Sequence, residues 1–443
     1  MAQNAVIPLR YGDGAASRTD GLPGAALPWL RDLRAQSWAR FAATGLPNQK
    51  QEAWRYTNVR QLRDAAFAPA TALANGIGRD DLPGLLSTPA ARLVFVNGYW
   101  RADLSDFAAL PDGVTVMSLA NMLAGDSELI APALKEALER EDAPFATLNG
   151  ALMQDGYVLH LAPGARLREP VECVFVRLGD AAVEYHGRHL IIAGANSEAC
   201  LLERHIDLGS GPYFANHALA VAAEAGANLQ RCKLQAEGTA AVHMATTQID
   251  LGRDARVANM EVTLGAALSR SDIGARLQGR GSELRLDGAY LLRDRQHGDT
   301  TTWIEHCAGE TASNEIYKGV LDDRARGVFQ GRITVHPDAQ GITGHQLSKT
   351  LLLSDQAEMD SKPELEIFAD DVKCSHGATV GELDDEALFY LRSRGIPEAA
   401  ARGLLISAFI EDALASVKNS SIRNYLETQV NLWLEAVKGV EPV

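Results

Sequence analysis

The sequence predicts a mainly β chain, a β-helix-like solenoid set between two helical regions, and three observations carry that prediction. From about Ala146, short apolar runs alternate with Gly, Asn and Asp turns over on the order of 220 residues. Similar turn-strand units recur inside that stretch: AGANSEACLLE from Ala193, EAGANLQRCKL from Glu224, LGRDARVANMEV from Leu251 and LQGRGSELRLDG from Leu277, with starts 31, 27 and 26 residues apart. Helical periodicity is confined to the two ends. A repeat of this length with one short strand set cannot bury its own inner face, so stacked neighbours must share one core. Strand spacing leaves a two-sheet sandwich as the alternative.

Along the chain, residues 1 to about 25 are rich in Gly and Ala and read as loose. Leu27 to Ala43 fits an amphipathic helix with Leu30, Leu33, Trp38 and Phe41 on its apolar side, stopped by Gly45 and Pro47. Gln51 to Leu62 reads as a short helical or irregular element, with Trp54, Arg55 and Tyr56 as a local packing cluster. Residues 66 to 90 read as a linker. Arg92 to Trp100 is a strand with an Asn-Gly turn, a hairpin signal. Met117 to Glu141 is again helical. Strands then follow at Tyr157 to Leu161, Val171 to Arg177, His189 to Ala193, Ala199 to Arg204, Ala218 to Ala222, Leu229 to Leu234 and onward to Gly327 to Val335.

The stretch Pro363 to Gly395 joins two patterns. Glu364 to Val372 reads as a strand, with Leu365 and Ile367 alternating against Glu364 and Glu366. Asp384 to Gly395 reads as a helix with Asp384 as N-cap, acidic residues in its first turn, Arg392 and Arg394 in its last, and Gly395 as the stop. If the intervening Cys374-Ser375-His376-Gly377 is extended, Cys374 and His376 share a face. A thiol and an imidazole on one face suit either a metal site or a plain strand end. Pro397 sits at the entry of a further helix carrying Leu405, Ile406, Phe409, Ile410, Ala413 and Val417, and Ile422 to Val437 forms the last. The chain thus divides into 1–145, mainly helical with a small hairpin; 146–380, the β core; and 381–443, a helical module that caps the solenoid, offers a docking surface, or both.

Composition narrows the function. The 443 residues carry 42 Lys and Arg against 57 Asp and Glu, a net charge of -15, which argues against a chain-wide nucleic-acid footprint. Five widely spaced cysteines without a C-x-x-C pair disfavour a disulfide framework or a zinc ribbon and suit a reducing cytosol. The first thirty residues hold no apolar core of a secretory signal, and no run reaches the length of a membrane span, so a cytoplasmic location away from membranes is expected. Gly344 to Thr350 lacks the glycine before Lys349 that a phosphate loop requires, so nucleotide binding by this chain is not expected. There is no dinucleotide fingerprint, nucleophile elbow or H-E-x-x-H helix. Cys173, Cys200, Cys232 and Cys307 read as core thiols. His186 and His189 read as structural, and His336 and His345 flank a turn across which they are able to approach.

The run KPELEIFADDVKCSHGATVGELDDEALFYLRSRGI, preceded by GHQLSKTLLLSDQAEMDSKPELEI, closely resembles the SufD subunits of the SUF iron–sulfur cluster assembly machinery. QEAWRYTNVRQL and the FATLNGALMQDG segment at Phe145 are similar to the same family. The resemblance implies a right-handed parallel β-helix with a helical carboxy-terminal domain. It also implies partnership with a SufB-type paralogue and with SufC, an ABC-type ATPase. The paralogue's cysteine falls where this chain has Lys349-Thr350, which favours the SufD side. By the same resemblance His376 faces that cysteine across a heterodimer interface at a transient iron–sulfur cluster, and the helical region from Leu388 to Glu411 docks the ATPase, with Leu388, Phe389, Tyr390, Leu391 and Phe409 as apolar anchors. Cys374 is the next candidate ligand, because it shares a face with His376. No cofactor is expected to be tightly bound to the isolated chain, and a homodimer of the isolated chain is compatible with the resemblance. The reading is of a non-enzymatic assembly subunit. Its rivals are a β-helix polysaccharide lyase and a purely structural solenoid.

Overall fold

The computed structural model describes residues 11, 18–73, 75–107, 109–437 and 440. Two long parallel sheets form its core, and the chain alternates between them. The first sheet takes Tyr157–Leu161, Val183–Ala193, Tyr213–Ala223, Ala241–Leu251, Leu268–Leu277, His297–His306, Arg326–Val335 and Glu358–Ile367. The second takes Val171–Arg177, Glu198–Asp207, Asn228–Ala236, Arg256–Thr263, Glu283–Leu292, Ala312–Leu321, Ile342–Leu352 and Val372–Gly381. Each residue lies opposite its equivalent one rung later, at offsets between 26 (Val242 to Leu268) and 32 (Arg326 to Glu358) residues. This is a parallel β-solenoid, and its period is that of the recurring turn-strand units. The sandwich alternative falls away, because the neighbours within each of these two runs are parallel.

The turns that recur in the sequence stack as a column. Gly164, Asn196, Gly226, Asp254, Gly281, Glu310 and Gly341 all have positive φ. Most pass a backbone hydrogen bond to the next rung, as in Asn196 N–H to Ala225 O (2.9 Å) and Gly226 N–H to Arg253 O (2.8 Å). At Gly226 a side chain is excluded twice over: φ is 71°, and a Cβ would lie 2.4 Å from Asn196 Oδ1.

Alternate side chains of both sheets point into the lumen. One half of it is apolar, with Leu219, Val221, Leu229, Ile249, Val257, Ile273, Leu284 and Leu286 in one continuous cluster. The other half is polar yet equally buried, and holds His189, Glu203, His205, His217, Arg231, Lys233 and His243.

Helices cover both outer faces. Against the first sheet, Phe145, Leu148 and Leu152 of Pro144–Leu152 pack on Phe214, Val242 and Met244. Leu30 and Leu33 of Pro28–Thr44 and Ile130 and Leu134 of Ser127–Arg140 pack around Val158 and Leu190. Arg188 reaches from this sheet to make a bidentate pair with Glu141 (2.5 and 2.8 Å). Against the second sheet, Ile406, Ile410 and Ala413 of Glu398–Leu414 and Leu426, Val430 and Leu434 of Ser420–Glu435 cover Leu202, Cys232, Met260, Leu291 and Val320. Arg204 ties Glu172 (2.9 Å) to the Tyr425 hydroxyl (2.9 Å), and Lys318 meets Asp412 at 2.7 Å.

Several local expectations change. The strand read as Glu364 to Val372 is instead two strands, Glu358–Ile367 and Val372–Gly381, separated by a turn through Phe368 to Asp371. The Leu/Glu alternation simply stops at Ile367, where the chain crosses to the other sheet. Met117 and Ser118 end the strand Val114–Ser118, and helices follow at Leu119–Ala124 and Ser127–Arg140. Residues around 146 begin in the helix Pro144–Leu152 rather than in a strand, and Ala91–Val96 already pairs with Val171–Arg177. Pro397 is the N-cap of Glu398–Leu414 rather than its first residue. The stretch read as loose lies largely outside the described residues, but Tyr11 is buried and hydrogen-bonded to Glu184 (2.5 Å), which Arg18 also meets at 2.6 Å. Two sequence signals hold closely: Asn97 and Gly98 both have positive φ in the hairpin, and Asp384 accepts from the amides of Glu386 and Ala387. Among the described residues no helix is long and apolar enough to cross a membrane.

Two outcomes follow. Arg188→Ala strands the Glu141 carboxylate in a dry interior, so denaturant unfolding should show a loss of about 3–5 kcal/mol. His306 is buried between Thr311 (2.7 Å) and Ser313 (2.9 Å), and burial lowers its pKa to about 4. The unfolded chain binds that proton more tightly, so this contribution is full above about pH 6.5 and is lost as pH falls towards 4. His306→Gln should therefore flatten the dependence of the melting temperature on pH between 7 and 5 relative to the parent chain.

Candidate functional site

The two ends of the solenoid differ. At the amino-terminal end, Ala91–Val96 adds to the second sheet and takes Tyr99–Trp100 in antiparallel pairing, while Val114–Ser118 pairs antiparallel with Tyr157–Leu161. At the other end, Glu358–Ile367 and Val372–Gly381 are the last strands of the two sheets, and neither contains a fully buried residue. Among the described residues nothing pairs with their outer edges. Both therefore present unpaired backbone donors and acceptors, beside exposed Phe368 (64%) and Val380 (48%).

Cys374 and His376 lie inside this terminal strand, not in a link between strand and helix. Register fixes where they point. On Ile342–Leu352 the buried row is Ile342, Gly344, Gln346, Ser348 and Thr350, which faces the lumen. Cys374 stands opposite Gly344 and His376 opposite Gln346, so both continue that inward row. Gln346 is covered and donates to Glu315 at 2.6 Å; His376 has no further rung above it and is exposed. Cys374 is half-buried against the apolar core, and that burial raises its thiol pKa, against a hydrogen bond from the Gly344 backbone. Ser375 points the other way, with its Oγ 2.7 Å from His345 Nδ1. His336 instead lies 3.6 Å from Glu305, so His336 and His345 each find a separate partner. One thiol and one imidazole would fill two positions of a four-coordinate site.

The carboxy-terminal anchors are unequal. On the helix Asp385–Ser393, Phe389 (72%) and Tyr390 (57%) stand in solvent while Leu388 and Leu391 are half-buried. Phe409 packs against the body of the protein, with Lys318 Nζ 4.6 Å from its ring centre.

Of the four cysteines expected in the core, Cys173 and Cys232 are buried and Cys200 and Cys307 half-buried. Sequence reasoning passed over one group. His189, His217 and His243 step diagonally across adjacent strands of the first sheet, and His205 meets them from the second. Burial holds all four imidazoles neutral, with pKa values lowered to about 3 for His189 and about 4 for His205. The legible signal was their spacing, close to the rung period, rather than any local motif.

Comparison with known proteins gives the family. Residues 176–409 match the family described as SUF system FeS cluster assembly, SufBD core domain, and residues 16–173 match the SufBD protein N-terminal region. The chain is 33% identical over 398 residues to the iron-sulfur cluster assembly protein SufD of Escherichia coli, covering 89% of this chain and 91% of that one. It is 30% identical over 395 residues to a SufBD family protein of Synechocystis, covering 87% of each, and 30% identical over 430 residues to one of Mycobacterium tuberculosis, covering 94% of this chain and 97% of the other. With both family regions present, in order, on a parallel β-solenoid flanked by helices, the chain belongs to the SufBD family of SUF-system iron–sulfur cluster assembly proteins, and is of the SufD type.

Proposed function

We propose that this chain is a non-catalytic, cytoplasmic subunit that pairs with a SufB-type paralogue through the open end of its solenoid and docks a SufC-type ABC ATPase on its carboxy-terminal helices. The single observation behind this reading is the uncapped final rung. It offers two unpaired strand edges and an inward row that ends in Cys374 and His376. A second solenoid stacking there would continue both sheets and cover that row. An iron–sulfur cluster in assembly is then the substrate at the junction. His376 and Cys374 supply nitrogen and sulfur ligands from this side, and a cysteine of the partner supplies another. The 381–443 module carries the ATPase: Phe389 and Tyr390 are large exposed aromatics on a short capped helix, with Leu388 and Leu391 beside them. The absent phosphate loop fits a division of labour in which nucleotide is handled by the ATPase. In isolation the same open end suits a homodimer.

Two outcomes test this. When the tagged chain is co-expressed with SufB and SufC partners and purified anaerobically, all three should copurify with iron and sulfide. His376→Ala should lower the iron several-fold while the complex persists. Unchanged iron would remove His376 from the chemistry, and failure of either partner to copurify would overturn the pairing. Separately, Phe389→Ala with Tyr390→Ala should weaken capture of the ATPase by roughly tenfold or more, as loss of aromatic anchors does. Pairing with the SufB partner should be unaffected, and equal capture of the ATPase would place its docking surface elsewhere.

A further inference from the structure

The polar half of the lumen contains three imidazoles whose arrangement no hydrogen-bond network explains. His205, His217 and His243 are 1%, 4% and 0% exposed. His217 and His243 are stacked, with ring centres 5.4 Å apart and planes at 23°. His205 meets both edge-on, at 4.6 and 4.9 Å and at 77° and 79°. One ring nitrogen from each lies within 4.8 Å of the others.

Each ring also has a neighbour on its far side. His243 Nδ1 is 2.7 Å from Glu237 Oε2, His205 Nε2 is 3.5 Å from Glu203 Oε2, and His217 Nδ1 is 3.0 Å from His189 Nε2. Both nitrogens of His205 and of His243, and Nε2 of His217, make no hydrogen bond of good geometry although all are buried. A carboxylate or a second imidazole that takes the N–H of one ring nitrogen leaves a lone pair on the other, and metal-binding histidines are oriented in this way. A water molecule has two hydrogens to give and cannot serve three acceptor nitrogens, one from each ring, gathered within 4.8 Å of one another, whereas a cation can accept a lone pair from each. The surrounding charge also favours a cation. Among the described residues, three carboxylates, Glu203, Glu237 and Glu261, stand near two cationic side chains, Arg231, which bonds Glu203 at 2.7 Å and Glu261 at 2.9 Å, and Lys233, 3.8 Å from Glu261.

We infer that His205, His217 and His243 form a binding site for one divalent first-row transition-metal ion in the solenoid lumen, separate from the terminal rung. Three imidazoles select iron, cobalt, nickel, copper or zinc over magnesium or calcium, which prefer oxygen ligands. Glu237 and Glu203 act as orienting partners. Binding fixes the proton of His217 on Nδ1, donated to His189. The His189 proton then sits on Nδ1, which gives up the weak 3.3 Å bond from the Tyr157 amide. Because the site is enclosed, the ion is taken up as the chain folds.

The test uses the full chain produced in separate media supplemented with iron, zinc or cobalt, purified anaerobically and analysed for metal. On the order of one ion per chain is expected from at least one medium, surviving gel filtration with a chelator. His217→Gln and His243→Gln should each reduce it about tenfold or more, whereas Cys307→Ser should leave it unchanged. That control matters because Glu305, Cys307 and His336 form a second, half-buried group of donor atoms. Should the buried variants fold poorly, the visible spectrum of the cobalt-loaded parent decides alone. Weak bands of nitrogen ligation are expected, and an intense sulfur-to-cobalt charge-transfer band would overturn the assignment. Metal-free chain from all three media, or metal lost in Cys307→Ser, would overturn it equally.

Discussion

A rung of a parallel solenoid has an inner face that only the next rung can cover. That constraint sets most of what is seen here. It makes the repeat length nearly constant, since each strand must stand opposite its equivalent, as Leu229 does opposite Val257 and Val257 opposite Leu284. It places residues of positive φ in a vertical column, because the same corner recurs on every turn. It also makes the ends of the stack special. The amino-terminal end is closed by strands from the preceding region, Ala91–Val96 in parallel and Val114–Ser118 in antiparallel pairing, and among the described residues the carboxy-terminal end is not. Cys374 and His376 are reachable for this reason alone: equivalent positions one rung earlier, Gly344 and Gln346, are sealed inside.

The lumen is not uniform, and its two halves do different things. The apolar half, lined by Leu219, Val221, Ile249 and Leu284, supplies ordinary hydrophobic burial. The polar half concentrates imidazoles, carboxylates and guanidinium groups in a space without water. There, each charge persists only through a partner, as Glu203 does through Arg231. Such an interior is a costly way to achieve stability. It does hold donor atoms in fixed positions, the property on which the proposed metal site rests.

The helical regions divide the outer surface between them. The amino-terminal helices cover the first sheet and the carboxy-terminal helices the second, and each cover is fastened by an arginine reaching out of the sheet, Arg188 and Arg204. With both faces covered, the open rung and the outer side of the helix carrying Phe389 and Tyr390 are among the exposed apolar surfaces of the described residues. Those two surfaces lie on consecutive segments of chain, the strand ending at Gly381 and the helix beginning at Asp385.

What the sequence determined by itself was whatever local chemistry enforces. The turns at Asn196, Gly226 and Asp254 announced the rung period, the Asn97-Gly98 hairpin and the Asp384 cap were readable residue by residue, and the motifs around Ser375 to Thr379 carried the family. The strand Val372–Gly381 was not readable, because a final rung has nothing to bury and so lacks the apolar alternation that marks a strand. Nor was the direction of Cys374 and His376 into the lumen, which depends on register with Gly344 and Gln346. The meeting of His205, His217 and His243 was equally hidden. Residues separated by a full turn of the solenoid become neighbours only when the sheets stack, so their proximity belongs to the tertiary structure and to no local segment.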